Sequence, residues 1–190
     1  MAWLKEIRWH GRGGQGVVTA GKLLAETALE AGQYFQAFPD YGPERSGAPI
    51  RAFTRLSDKP ITLHSQIEEP DVVIVLDRTL LGNVPVTSGL KPNGILLVNT
   101  PESPEAVRAR LKYAEGRVVT VDASRIALDE FGKEITNTPM LGALARATGL
   151  FSVEEITVQT RQRFAKKFTP EVVEANVRAV ERAAGEVREA

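Results

Sequence analysis

With 190 residues, 43% of them apolar and 25% charged, the chain has the size and make-up of an ordinary globular domain that buries a core. Twenty-four basic side chains balance twenty-four acidic ones, so bulk charge gives no sign of a nucleic-acid surface or of an acidic substrate. Cysteine is absent and there are two histidines, which excludes disulfides and argues against a self-contained zinc or iron–sulfur site.

No apolar run approaches the ~20 residues of a membrane helix, and the first residues lack a signal-peptide apolar stretch. A cytoplasmic location with no membrane contact is expected. Lys5 to Trp9 alternates, Ile7 and Trp9 on one face and charges on the other, which predicts a strand covered on one side. His10-Gly11-Arg12-Gly13-Gly14-Gln15-Gly16 follows, with four glycines in six positions. From Val17 to Ala31 the apolar residues Val17, Ala20, Leu24, Ala28 and Ala31 keep helical spacing, and Gly32 marks the stop. Tyr34 to Phe38 reads as a second strand, so the chain opens like a β-α-β unit.

Pro39 to Pro49 holds three prolines and two glycines and predicts an irregular loop. Ile50 to Arg55 alternates as a strand. Asp71 to Asp77, Ile95 to Asn99 and Arg117 to Asp122 are apolar runs suited to a parallel sheet covered on both faces. Helices are expected over Glu105–Ala114 and Ala123–Phe131, and no strand after Gly132. Pro139 to Thr148 reads as a helix ended by Gly149. Ser152 and Glu155 form a capping box for a helix to about Lys166. Thr169-Pro170 opens the last one, with Val173, Val177, Val180 and Ala184 as its apolar stripe. The expected architecture is α/β: a single three-layer, Rossmann-like domain with a mainly parallel sheet and a helical C-terminal end.

Gly11, Gly13 and Gly16 satisfy G-x-G-x-x-G between strand and helix, where free helix N–H groups favour an anion. The dinucleotide fingerprint also needs an acid at the end of the second strand, about 20 residues on. Tyr34 to Phe38 offers none, and Asp40 lies inside the Pro-rich loop. No Gly-Lys-Ser/Thr ends the glycine loop, so it is not a P-loop. Arg12 and Gln15 are donors that a plain packing turn does not need, which points to a ligand or subunit contact. The second loop carries Tyr41, Gly42, Glu44 and Arg45, and is expected at the same sheet edge as Gly11, Arg12, Gly13, Gly14, Gln15 and Gly16. The plainer alternative for it is a solvated loop with a surface ion pair. His10 is either an acid–base group at this crevice or a strand-end histidine bonded to backbone. Asp77 either faces the crevice or caps the turn at Arg78-Thr79. Asn137-Thr138 is first an N-cap signal.

The segments Ile7 to Gly16 and Gln36 to Pro49, with Pro70 to Val73, Ile95 to Thr100 and Asn137 to Leu144, resemble the gamma subunits of pyruvate:ferredoxin oxidoreductases, among the 2-oxoacid:acceptor oxidoreductases. The likeness covers nearly the whole chain and implies one gamma domain over residues 1–190. It implies a part in the reaction of pyruvate, coenzyme A and oxidised ferredoxin to acetyl-CoA, carbon dioxide and reduced ferredoxin. It also implies thiamine diphosphate, Mg and iron–sulfur clusters on partner subunits of alpha, beta and delta type, ferredoxin as acceptor, and no redox cofactor or catalytic residue in this chain. Alternatives are the gamma subunit of a 2-oxoglutarate or branched-chain 2-oxoacid enzyme, or a stand-alone Rossmann-type nucleotide-binding protein.

Overall fold

The computed structural model describes residues 3–40 and 47–190. The expected loop residues Tyr41, Gly42, Glu44 and Arg45 lie outside the described residues.

Seven strands form one sheet. In chain order the elements are β1 (Leu4–Arg12), α1 (Val17–Glu30), β2 (Tyr34–Asp40), β3 (Pro49–Ser57), β4 (Val72–Val75), β5 (Ile95–Asn99), α2 (Pro104–Leu111) and β6 (Arg117–Val121). Then come α3 (Ala123–Phe131), α4 (Asn137–Thr148), α5 (Val153–Phe164), α6 (Pro170–Gly185) and β7 (Arg188–Glu189). The spatial order is β2-β3-β1-β4-β5-β6-β7. β1, β4, β5 and β6 run parallel through the centre, while β3 pairs antiparallel with both β1 and β2, and β7 with β6.

Three expectations change. The opening β-α-β unit is split, because β3 inserts between β1 and β2. A strand does follow Gly132: β7 closes the β6 edge with two residues, too short to leave a periodic signal. The polar side of β1 is not solvated. Arg8 and His10 are 5% and 3% exposed, because β1 is a central strand with a packed layer on each face.

The layers are unequal. On one face α1 packs on β1, β2 and β3, and α4 on β5 and β6, while α6 packs behind them on α3, α4 and α5. Ile7, Trp9, Leu24, Ile74, Leu97, Val119, Met140, Leu141 and Val180 join in this larger core. The other face carries α2 and the segment that follows β4, with Val73, Val75, Leu80, Val86, Leu96, Val98 and Val107 inside. The helical end forms as its signals predict. Ser152 and Glu155 make a reciprocal capping box, and Pro170 occupies the first turn of α6. On α6 the deepest residue of the last turn is Ala183 rather than Ala184.

At or just after the end of each apolar central strand stands a polar residue that organises the next element. Asp77 accepts from the Thr79 amide, Asn99 from the Ser124 amide and Asp122 from the Arg125 amide. This pins the carboxyl edge of the sheet, where the glycine loop also lies.

Candidate functional site

The site is built where β1 gives way to α1. Gly11 is required by close approach: a Cβ there would collide with Val17 Cγ2. Gly16 is the residue before the helix, with φ 77° and ψ 22°, a conformation that costs L side chains roughly 1–2 kcal/mol. A Cβ on it would also lie 2.8 Å from Asn137 Nδ2, so the start of α4 abuts the start of α1. No side chain caps α1.

Arg12 and Gln15 do not simply project. Gln15 Oε1 accepts from the Arg12 amide at 2.8 Å, and its Nε2 donates to Asp77 Oδ2 at 2.8 Å. Arg12 Nε lies 3.1 Å from the same carboxylate, and Nη2 donates to Thr79 Oγ1 at 2.9 Å. Arg12 Nη1 donates to Gly47 O at 3.0 Å, and the Gly13 amide to Ala48 O at 3.1 Å. The glycine loop is therefore tied to both the turn after β4 and the entry to β3, where the second loop rejoins the fold. The two loops share one sheet edge as far as the described residues run.

Asp77 does both things expected of it as alternatives. Oδ1 takes the Thr79 amide and hydroxyl at 2.8 and 2.6 Å, while Oδ2 holds the glycine loop. Burial pushes its carboxyl up, but the Thr79 hydroxyl and amide, the Gln15 amide and Arg12 outweigh that and hold it below the ordinary value of 3.8. Thr79 was legible from sequence as part of the turn that Asp77 caps, but its contact with Arg12 was not. A polar residue closing an apolar run, as at Asp77 and Asn99, was the available signal. Asn99, 4% exposed, donates to Leu76 O at 2.8 Å and to Ser124 Oγ at 2.9 Å, joining β4, β5 and α3.

Two sequence readings are corrected here. His10 is bonded to neither substrate space nor backbone: its Nε2 accepts from Arg8 Nε at 3.0 Å inside the fold. Burial, then the charges of Arg8 and Arg51, push its pKa down to about 3, so it stays neutral at neutral pH and is no acid–base group. Arg8 in turn donates to Val86 O and Ser88 O, fastening the covering segment. At α4 the residue before the helix is Thr136, not Asn137, whose Oδ1 accepts from the Thr138 amide within the first turn.

The acid of the dinucleotide fingerprint also needs revision. β2 extends to Asp40, so an acid does stand at the end of the second strand. It is paired with Arg51 at 2.6 Å and sits two strands from β1, about 10 Å away at ordinary strand spacing. A ribose held at the glycine loop would not meet it.

The donor set among the described residues does not fit a metal or cluster. Cysteine is missing from the sequence, and among the described residues no group of three His, Cys, Asp or Glu side chains converges.

Fold and loop together define a class: a Rossmann-like α/β chain whose glycine turn is braced by its own side chains and equipped with neither ribose acid nor redox ligand. The chain belongs to the pyruvate ferredoxin/flavodoxin oxidoreductase family, whose model matches residues 6–186. It is 52% identical over 183 residues to the pyruvate synthase subunit PorC of Thermotoga maritima, covering 96% of this chain and 94% of that one. It is 51% identical over 178 residues to the pyruvate/ketoisovalerate oxidoreductases common subunit gamma of Thermococcus kodakarensis, covering 94% of each. The crystal structure of the pyruvate oxidoreductase subunit PORC from Thermotoga maritima superposes with TM-score 0.86 at 48% identity over 98% of both chains. The resemblance first carried by the two loop motifs thus extends through the whole fold.

Proposed function

We propose that this chain is the gamma subunit of a pyruvate:ferredoxin oxidoreductase. The observation that carries the reading is the match along 96% of the chain to a pyruvate synthase subunit at 52% identity. The complex converts pyruvate, coenzyme A and oxidised ferredoxin to acetyl-CoA, carbon dioxide and reduced ferredoxin, two electrons leaving for each pyruvate. Thiamine diphosphate, Mg and iron–sulfur clusters belong on alpha-, beta- and delta-type partners; the chain has no cysteine for a cluster, and no group of three His, Cys, Asp or Glu side chains converges among the described residues. Residues 1–190 act as one gamma domain in the cytoplasm, and no helix among the described residues is long and apolar enough to cross a membrane. The contact loops are Gly11 to Gly16 and the Tyr41, Gly42, Glu44 and Arg45 segment, facing coenzyme A or a neighbouring subunit. The glycine loop's support is its bracing: a loop fixed before binding loses less entropy on binding.

One observation favours a wider reading. The Thermococcus kodakarensis relative is named as common to pyruvate and ketoisovalerate oxidoreductases. A gamma subunit of that kind leaves the choice of 2-oxoacid to its partners. The test is reconstitution. Alone, the chain should give no pyruvate-dependent viologen reduction, and adding it to the remaining subunits should restore activity. Equal activity without it would refute the assignment. Arg12→Ala should leave the fold intact and raise the coenzyme A KM or weaken assembly by about tenfold, the scale of one charge-assisted contact. An unchanged KM and an intact complex would reduce the loop to a packing turn.

A further inference from the structure

Behind the glycine loop, the ends of α3 and α5 meet the starts of α4 and α6 around a cavity of about 460 Å³. Its wall is apolar: Phe131, Ile135, Phe164, Phe168 and Val172. Ile135, Phe168 and Val172 are 45%, 50% and 38% exposed, so nothing else in the described chain covers them. Phe164 and Phe168 meet edge to face with centroids 5.3 Å apart, which gives the cavity a stiff aromatic side. Apolar surface gathered in one place with a polar rim marks a binding face rather than scattered exposure.

The rim is cationic. Lys133, Arg163 and Lys167 line the cavity, and no acidic residue does. Arg163 is paired with Glu26, whereas no ion pair among the described residues includes Lys133 or Lys167. Small-molecule sites add a few convergent polar groups to an apolar wall. Here Thr138 and Asn176 are engaged within the chain: Thr138 Oγ1 donates to Asn176 Oδ1 at 3.0 Å, and Asn176 Nδ2 to Val172 O at 2.8 Å. The exposed faces of Phe168, Val172 and Ile135 also spread outward, where a protein surface covers what a small ligand would leave wet. Thr19 and Asn137 line the same cavity, and Asn137 is the side chain that abuts Gly16. The face is therefore continuous with the glycine loop, proposed to face coenzyme A or a neighbouring subunit.

We propose that this cavity is a socket for a segment of another subunit of the complex, an apolar side chain flanked by carboxylates. The apolar anchor fills the aromatic wall, and the carboxylates meet Lys133 and Lys167. This rests on the assignment of the chain as a gamma subunit. The experiment uses the reconstituted complex, with a photocrosslinking benzophenone amino acid in place of Phe168. Irradiation should join this chain to a different subunit, at a peptide that holds an apolar residue beside at least two carboxylates. Phe168→Ser should weaken assembly by about tenfold or more, as truncation of an interface anchor does. The paired change Lys133→Glu with Lys167→Glu should slow association and lessen its salt dependence. Restored pyruvate-dependent activity with no adduct, or with an adduct between two copies of this chain or on a peptide without acids, would overturn the socket and leave the subunit assignment standing. Failure of the unsubstituted chain to restore activity would instead overturn the assignment, and the socket with it.

Discussion

The two halves of the sheet are built from different materials. From β4 to β6 the strands are mostly Val, Leu and Ile and are buried on both faces apart from Arg117, with Asn99 and Thr120 as the polar residues inside. From β1 to β2 the sheet buries Arg8, His10, Thr54 and Arg55, and every one of them needs a partner. Trp9 Nε1 donates to Thr54 Oγ1 at 3.0 Å, Arg55 pairs with Glu6 at 2.8 Å, and Arg8 reaches His10 and two backbone carbonyls. The apolar half is held mainly by the fit of side-chain volumes. The polar half is held by specific pairings, so it is the half whose geometry is defined tightly enough to carry the two loops.

Breaking one pairing should show this difference most strongly. Arg55 is 1% exposed, and Glu6 is its carboxylate partner across β1 and β3. Glu6→Ala leaves that guanidinium buried with only the Gln36 and Gln66 oxygens, and should cost about 3 kcal/mol in urea denaturation. Changing both residues to apolar ones of similar volume, Glu6→Leu with Arg55→Met, should recover most of the loss. If the double variant is as unstable as the single one, the pairing is not what holds this half.

The same contrast explains what could be read ahead of the structure. Ile95–Asn99 and Ala123–Phe131 form over the spans expected, because apolar runs and caps are local signals. The order of β2, β3 and β1 was not legible, since antiparallel insertion depends on pairing across the chain rather than on periodicity. The burial of Arg8 was hidden for a related reason. Alternation predicts which residues share a face, and the layer that covers that face comes from residues 78–90, far along the sequence. At the site, Gly11 and Gly16 were legible as members of G-x-G-x-x-G, but their crowding by Val17 and Asn137 was not. The partners of Arg12 and Gln15 were not, because Asp77 and Thr79 reach the loop only once β1 and β4 are side by side.

His10 sharpens the comparison through pH. Its folded pKa is pushed down to about 3 from 6.5, so the unfolded chain takes up the proton first as pH falls. The stability linked to neutral His10 is complete above pH 6.5 and is lost progressively on acidification toward pH 3. Between pH 6.5 and pH 5, 1.5 pH units at about 1.36 kcal/mol each give a loss of about 2 kcal/mol. His10→Gln keeps an acceptor for Arg8 and cannot titrate, so it should abolish this part of the slope. Denaturation midpoints at pH 7.5 and pH 5 for both proteins measure it. A variant as acid-sensitive as the parent would mean that His10 is not held neutral.

The smallest effect belongs to the loop brace. Asp77 has its carboxyl held below 3.8, so its contribution is present above that pH and fades as pH falls through its folded value. Asp77→Asn keeps the side-chain shape but replaces one carboxylate oxygen with a donor, opposing either the Thr79 contacts or those from Gln15 and Arg12. The cost should be about 1 kcal/mol at pH 7, with the gap between the two proteins closing once the parent carboxylate is protonated below pH 3.8. A gap that persists in full at pH 2 would assign the loss to shape rather than charge. Because this brace lies outside both cores, a change of this size in stability together with a much larger loss in reconstituted activity would locate function in the loop itself. Equal losses would mean that the polar half of the sheet supports the loop only by staying folded.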